Sequence, residues 1–105
     1  MTHYRVIVHY HFKKGMEEQG IKFFEKEFVN KAHEYGCPTI ELWRNETDHS
    51  FVVGVGAWNS MEDARKFQSQ WDAKEHQMLR YCTNVPRREF FSIKSVYTEK
   101  SRRAA

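Results

Sequence analysis

Apolar and polar positions along the chain change their period several times, and each change marks an element. From Tyr4 to Phe12 they alternate: Tyr4, Val6, Val8, Tyr10 and Phe12 share one face, and Arg5, Ile7, His9 and His11 the other. A period of two predicts a strand, ended by a turn at Lys13-Lys14-Gly15. Between Glu17 and Tyr35 the steps lengthen. Ile21, Phe24, Phe28, Ala32 and Tyr35 recur every three or four residues, the stripe of an amphipathic helix with acidic residues in its first turn. Gly36 and Pro38 supply the stop, because glycine accepts a left-handed cap and proline cannot continue a helix. Thr39–Arg44 and Phe51–Trp58, joined by the polar run Asn45-Glu46-Thr47-Asp48-His49-Ser50, predict a hairpin.

Ser60 with Asp63 three residues on resembles a capping box. It opens a second helix predicted from Met61 to about Tyr81, with Ala64, Phe67 and Trp71 as its buried stripe. The pattern falls out of phase near Trp71-Asp72 and resumes at Met78 and Leu79, which predicts a break. Thr83–Arg87, holding Pro86, is a loop, and Arg88–Thr98 is predicted as the last strand.

The order βαββαβ belongs to the α+β class and is the ferredoxin-like arrangement: a four-stranded antiparallel sheet with two helices on one face. It forms a single domain over residues 1–98, followed by a mobile basic tail over residues 99–105. The other face of this sheet should be polar if it met water. Here it carries Ile7 and, if the hairpin continues the alternation, Trp43 beside His9 and His11. Composition points the same way. Sixteen aromatics stand against only 14 Val, Ile and Leu together, two of them Leu, and a domain of this size buries only about 60–70% of its unfolded surface. The open sheet face is therefore expected to meet a second copy, giving a homodimer.

Charge narrows the function classes. Residues 1–98 hold 14 basic and 13 acidic side chains, and the tail EKSRRAA holds three and one. The body lacks the basic face that displaces phosphate counterions, so nucleic acid is not an expected partner. No apolar run reaches the roughly 18 residues of a membrane span, and the first 15 residues lack the order of a signal peptide, so a cytoplasmic protein without a membrane partner is expected. Cys37 and Cys82 are too few for a disulfide framework and show no zinc spacing; both are expected as free thiols.

Phe12-Lys13-Lys14-Gly15 after the first strand, Ala57-Trp58-Asn59-Ser60-Met61-Glu62-Asp63-Ala64 at the third-strand–second-helix junction, and the element order together resemble the dimeric α+β barrel superfamily, and within it the antibiotic-biosynthesis-monooxygenase-like group. The resemblance implies two sheets paired face to face and a cavity for a small aromatic ligand. It also implies, for some members, a cofactor-free monooxygenation of phenols or quinols in which the substrate anion itself reduces oxygen. Other members degrade haem or have no known activity. Family oxygenases often carry a mid-helix histidine about where Phe67 stands, and the haem-degrading members a first-strand asparagine; this chain has neither. No cofactor is expected.

Several residues are candidates for the chemistry. His76, four residues after Asp72 on a helix, could be oriented as a general base, and His11 is the alternative base. Trp58, Trp71, Phe67 and Trp43 could wall an aromatic pocket. Gly54 and Gly56, two apart on a strand and sharing a face with Trp58, mark a place where a ligand or backbone comes close. His9 and His11 share a strand face, and with Glu41 they form the alternative of a transition-metal site; a role in a pH-sensitive interface is the plainer reading. Arg5, Arg44, Arg87 and Arg88 could clamp an acidic group but are expected as surface charge. The function that follows is a homodimeric, cofactor-independent monooxygenase of a phenolic or quinol-like molecule; the alternative is a non-catalytic ligand-binding or stress-response module of the same fold.

Overall fold

The computed structural model describes residues 2–99, so residues 100–105 of the expected basic tail lie outside the described residues. Four strands, β1 (Tyr4–His11), β2 (Thr39–Arg44), β3 (Phe51–Trp58) and β4 (Arg87–Ser92), form one antiparallel sheet in the order β2-β3-β1-β4. Helical segments cover one face. The first helix comprises α1 (Glu17–Phe23), a π-helical turn (Phe24–Val29) and α2 (Asn30–Glu34); the second comprises α3 (Met61–Asp72) and, after a short turn, α4 (Glu75–Leu79). Among the described residues no helix is long and apolar enough to cross a membrane.

The register turns alternation into two chemically distinct surfaces. Beneath the helices run the rows Leu42–Gly54–Val8–Arg88 and Ile40–Gly56–Val6–Phe90. Facing away run Trp43–Val53–His9–Arg87, Glu41–Val55–Ile7–Glu89 and Thr39–Ala57–Arg5–Phe91. The core between sheet and helices is largely aromatic: Tyr10, Phe12, Phe24, Phe28, Trp58, Phe67 and Trp71 are all buried there. Phe28 meets Phe67 and Trp71 edge-on at 4.9 and 5.0 Å, the geometry that ring quadrupoles favour.

The local signals behave as their chemistry dictates. Gly36 takes φ +99°, and the amides of Gly36 and Cys37 reach back to the carbonyls of His33 and Ala32 at 3.1 and 3.0 Å, closing the helix with a Schellman motif. Ser60 Oγ accepts the Asp63 amide at 3.0 Å. The expected break in the second helix falls at Ala73-Lys74.

Two features differ from the sequence expectation. The last strand stops at Ser92 rather than Thr98, because β1 itself starts at Tyr4: Ser92 already faces Tyr4, and one further bond runs from the Ile93 amide to the His3 carbonyl. The first helix is not α-helical throughout. Residues Phe24–Val29 form a wider π turn, within which the Phe24 and Phe28 rings stack 4.5 Å apart.

Candidate functional site

A cavity lies between helices and sheet, floored by Gly54 and Gly56 and walled by Phe28, Trp58 and Phe67, with Arg88 at one end. The glycines let two rings settle close onto the sheet. A Cβ on Gly54 would lie 3.0 Å from the Phe24 ring, and one on Gly56 2.9 Å from Trp58 Nε1. The cavity left between them is only about 10 Å³, room for about one water.

The sequence-derived candidates divide around this cavity. Trp58, Phe67, Gly54 and Gly56 come together in its lining. Trp71 stands behind it, packed on Phe28 and Phe67. Trp43 does not belong: it points out of the opposite sheet face, 52% exposed, its indole N–H donating to Glu41 Oε1 at 2.8 Å. Neither histidine proposed as a base lines the cavity. His76 is exposed on α4, and its expected partner Asp72 instead accepts from Gln68 and faces Arg88 at 4.0 Å. His11 is on the open face, its ring stacked 4.5 Å from that of Phe51.

The set of His9, His11 and Glu41 also separates. Glu41 and His9 stand in different rows on opposite sides of β3. His9 donates instead to Glu89 Oε1 at 2.7 Å. Among the described residues no three His, Cys, Asp or Glu side chains are grouped to hold a metal ion.

Sequence reasoning left Arg88 among surface charges, and the structure corrects this. Arg88 lies opposite Val8 on the helix-covered face, its side chain only 12% exposed, while Arg5, Arg44 and Arg87 remain on the open face or exposed. Strand parity was the available signal: Arg88 is inward if Phe90 is. One guanidinium nitrogen donates to Glu75 Oε1 at 3.0 Å, and Glu75 is itself 19% exposed. This half-buried ion pair holds the guanidinium beside the α3–α4 break.

Three buried polar side-chain atoms have no hydrogen-bond partner among the described residues: Tyr10 Oη, Trp71 Nε1 and Arg88 Nε. All three carry a hydrogen to donate. Burial pushes the Tyr10 phenol upward, with Arg88 opposing and Glu75 adding to the shift, so the phenol stays neutral. An unmade hydrogen bond at a buried donor costs about 1–3 kcal/mol. Of the three residues only Arg88 lines the cavity, so its Nε–H is the donor within reach of an oxygen placed there. The thiols do not compete for this role. Burial pushes Cys37 up, and burial together with the Glu75 charge pushes Cys82 up to about 11; both are free and buried.

No protein-family model matches the sequence, and no curated protein matches it. Solved structures do. The fold is similar to that of a monooxygenase of Streptomyces coelicolor, ActVA-Orf6, determined in complex with nanaomycin D: TM-score 0.77, 11% identity, 94% of each chain covered. It is similar to a putative antibiotic biosynthesis monooxygenase of Nitrosomonas europaea, with TM-score 0.73 and 13% identity over 88% of this chain and 99% of that one. It is also similar to a dimeric ferredoxin-like protein from an uncultured marine organism, with TM-score 0.72 and 12% identity over 95% of each. The chain thus has a ferredoxin-like fold. At these identities the likeness defines a fold, which hosts more than one activity.

Proposed function

We propose that the protein binds a small, flat, largely apolar molecule carrying a phenolic or carbonyl oxygen, and that it oxygenates this molecule without a cofactor. The observation that carries the reading is Arg88, which lines an aromatic-walled cavity with its Nε–H unpartnered and its guanidinium half-buried against Glu75. Donors aimed in advance at a developing oxyanion act most strongly in a site that excludes water. Arg88, held by Glu75, would favour the phenolate over the phenol and so make the substrate a reductant for oxygen. In the overall step one oxygen atom replaces two hydrogens of a ring methylene as a carbonyl, and the other leaves as water. The likeness in fold to a monooxygenase solved with nanaomycin D supports this class of ligand.

The working unit is proposed to be a homodimer joined through the open sheet face. Ile7, Val53, Val55, Ala57, Trp43 and Phe91 make that face substantially apolar, and patches of this kind on small proteins mark interfaces.

A second reading is ligand binding without turnover. The observation favouring it is that the cavity lining contains no carboxylate or imidazole to accept a proton. Oxygen uptake by chelator-treated protein, with a panel of quinols and anthrone-like phenols, separates the two. Uptake that survives in His76→Ala and falls at least tenfold in Arg88→Gln supports oxygenation at the cavity beside Arg88. Uptake lost in His76→Ala returns the base to α4, and phenol binding with no uptake selects the binding module.

A further inference from the structure

The closed cavity is far too small for the molecule that its walls suit, and the row Leu42–Gly54–Val8–Arg88 shows where the missing room lies. At the β2 end of this row an apolar groove of about 350 Å³ is lined by Phe24, Glu25, Val29, Ile40 and Leu42. Cavities that hold small organic ligands run from about 300 Å³ upward. Groove and cavity are neighbours: Leu42 in the groove pairs with Gly54 in the cavity floor. The Phe24 ring stands between them. It borders the groove on one side, while on the other it rests over Gly54 and stacks on Phe28, both of which line the cavity.

The partition belongs to the π turn. A π turn is an uncommon, less regular hydrogen-bonding arrangement within an α-helix and tends to occur where a helix serves a function. A change of rotamer at Phe24 takes its ring out of the space over Gly54.

We propose that the turn Phe24–Val29 is the gate of the ligand site and Phe24 its moving leaf. A ligand enters from the β2 edge through the groove, displaces the Phe24 ring, and lies along the row over Gly54 with its oxygen toward Arg88. The gate rests on the cavity being the ligand site. It adds the route, the moving residue and a site made of two chambers, which admits molecules longer than the inner cavity.

Stopped-flow binding of 1-naphthol, followed by its fluorescence, tests this on wild type, Phe24→Ala, Phe24→Leu and the cavity-filling variants Val6→Leu and Ala32→Leu. Phe24→Leu retains an apolar side chain should Phe24→Ala fail to fold. The gate predicts association about tenfold faster in Phe24→Ala and a smaller rise in Phe24→Leu, with binding weakened by the filling variants. Naphthol binding that the filling variants weaken, but whose association rate is the same with and without the Phe24 ring, overturns the gate and leaves the cavity as the site. Binding absent, or indifferent to filling the cavity, overturns both.

Discussion

One sheet presents two faces built from the same four strands, and they differ in how their large side chains are used. Under the helices the aromatic rings contact one another on all sides, and the two glycines of β3 keep a small space among them. On the far side the rings stand apart among charges: Trp43 beside Glu41, and Phe51 against His11. A covered face gains from shape, since interiors pack at crystal-like density. The open face, proposed above to meet a second copy, must also survive without it, and interspersed charge does that. The aromatic-rich composition thus reflects two separate demands, a filled core and an adhesive surface.

The contrast breaks most sharply on truncating one ring from each side. Phe67→Ala is expected to lower protomer stability by about 3–5 kcal/mol, read as a large drop in urea midpoint. Trp43→Ala should leave that midpoint within about 0.5 kcal/mol. It should instead weaken self-association at least about thirtyfold, the effect of losing a tryptophan hot spot, measured by sedimentation across a dilution series. A large stability loss for Trp43→Ala, or unaltered association, would erase the distinction between the faces.

Gly56→Ala sharpens the comparison by adding one methyl to the covered side. The new Cβ would lie 2.9 Å from Trp58 Nε1 and 3.4 Å from Cys37 Sγ, so a loss of about 1–3 kcal/mol is expected from overpacking. A neutral or stabilising outcome in thermal melts would mean that the glycine is not needed to keep that space.

The smallest expected effect is alkaline. Cys82, ordinarily near 9.0, is raised to about 11 in the folded protein. Above pH 9 the unfolded chain sheds this proton and the folded chain does not, so the unfolded state binds fewer protons and stability falls as pH rises. The fall attributable to Cys82 should run from about pH 9 to about 11 and be absent from Cys82→Ala. Equal slopes in the two proteins over this window would show that the thiol titrates alike folded and unfolded.

Much of the fold was legible because local chemistry and global packing agree. Ser60 capped, Gly36 turned left-handed, and the hairpin bounds held to the residue. The β-branched run after Ser92 misled because strand propensity is inert without a partner, and β1 begins only at Tyr4. The candidate site was half legible. Gly54, Gly56, Trp58 and Phe67 announced the cavity through spacing, whereas Arg88, Tyr10 and Glu75 did not, since their importance lies in which groups they face across the sheet. A charged residue on the inward parity of a strand was the overlooked signal.

Strand order also dictates when the molecule can be finished. β1 is made before the other three strands, yet one of its edges pairs only with β4, about 80 residues later. Until that segment leaves the ribosome, the hairpin can dock on one side of β1 while the other edge stays bare, a hazard for nascent chains of this topology. Arg88 arrives with the closing strand and brings its charge to Glu75 last. The residue that completes the polar end of the cavity is thus also a late fastener of the fold, and a chain truncated before Arg87 loses core closure and site together.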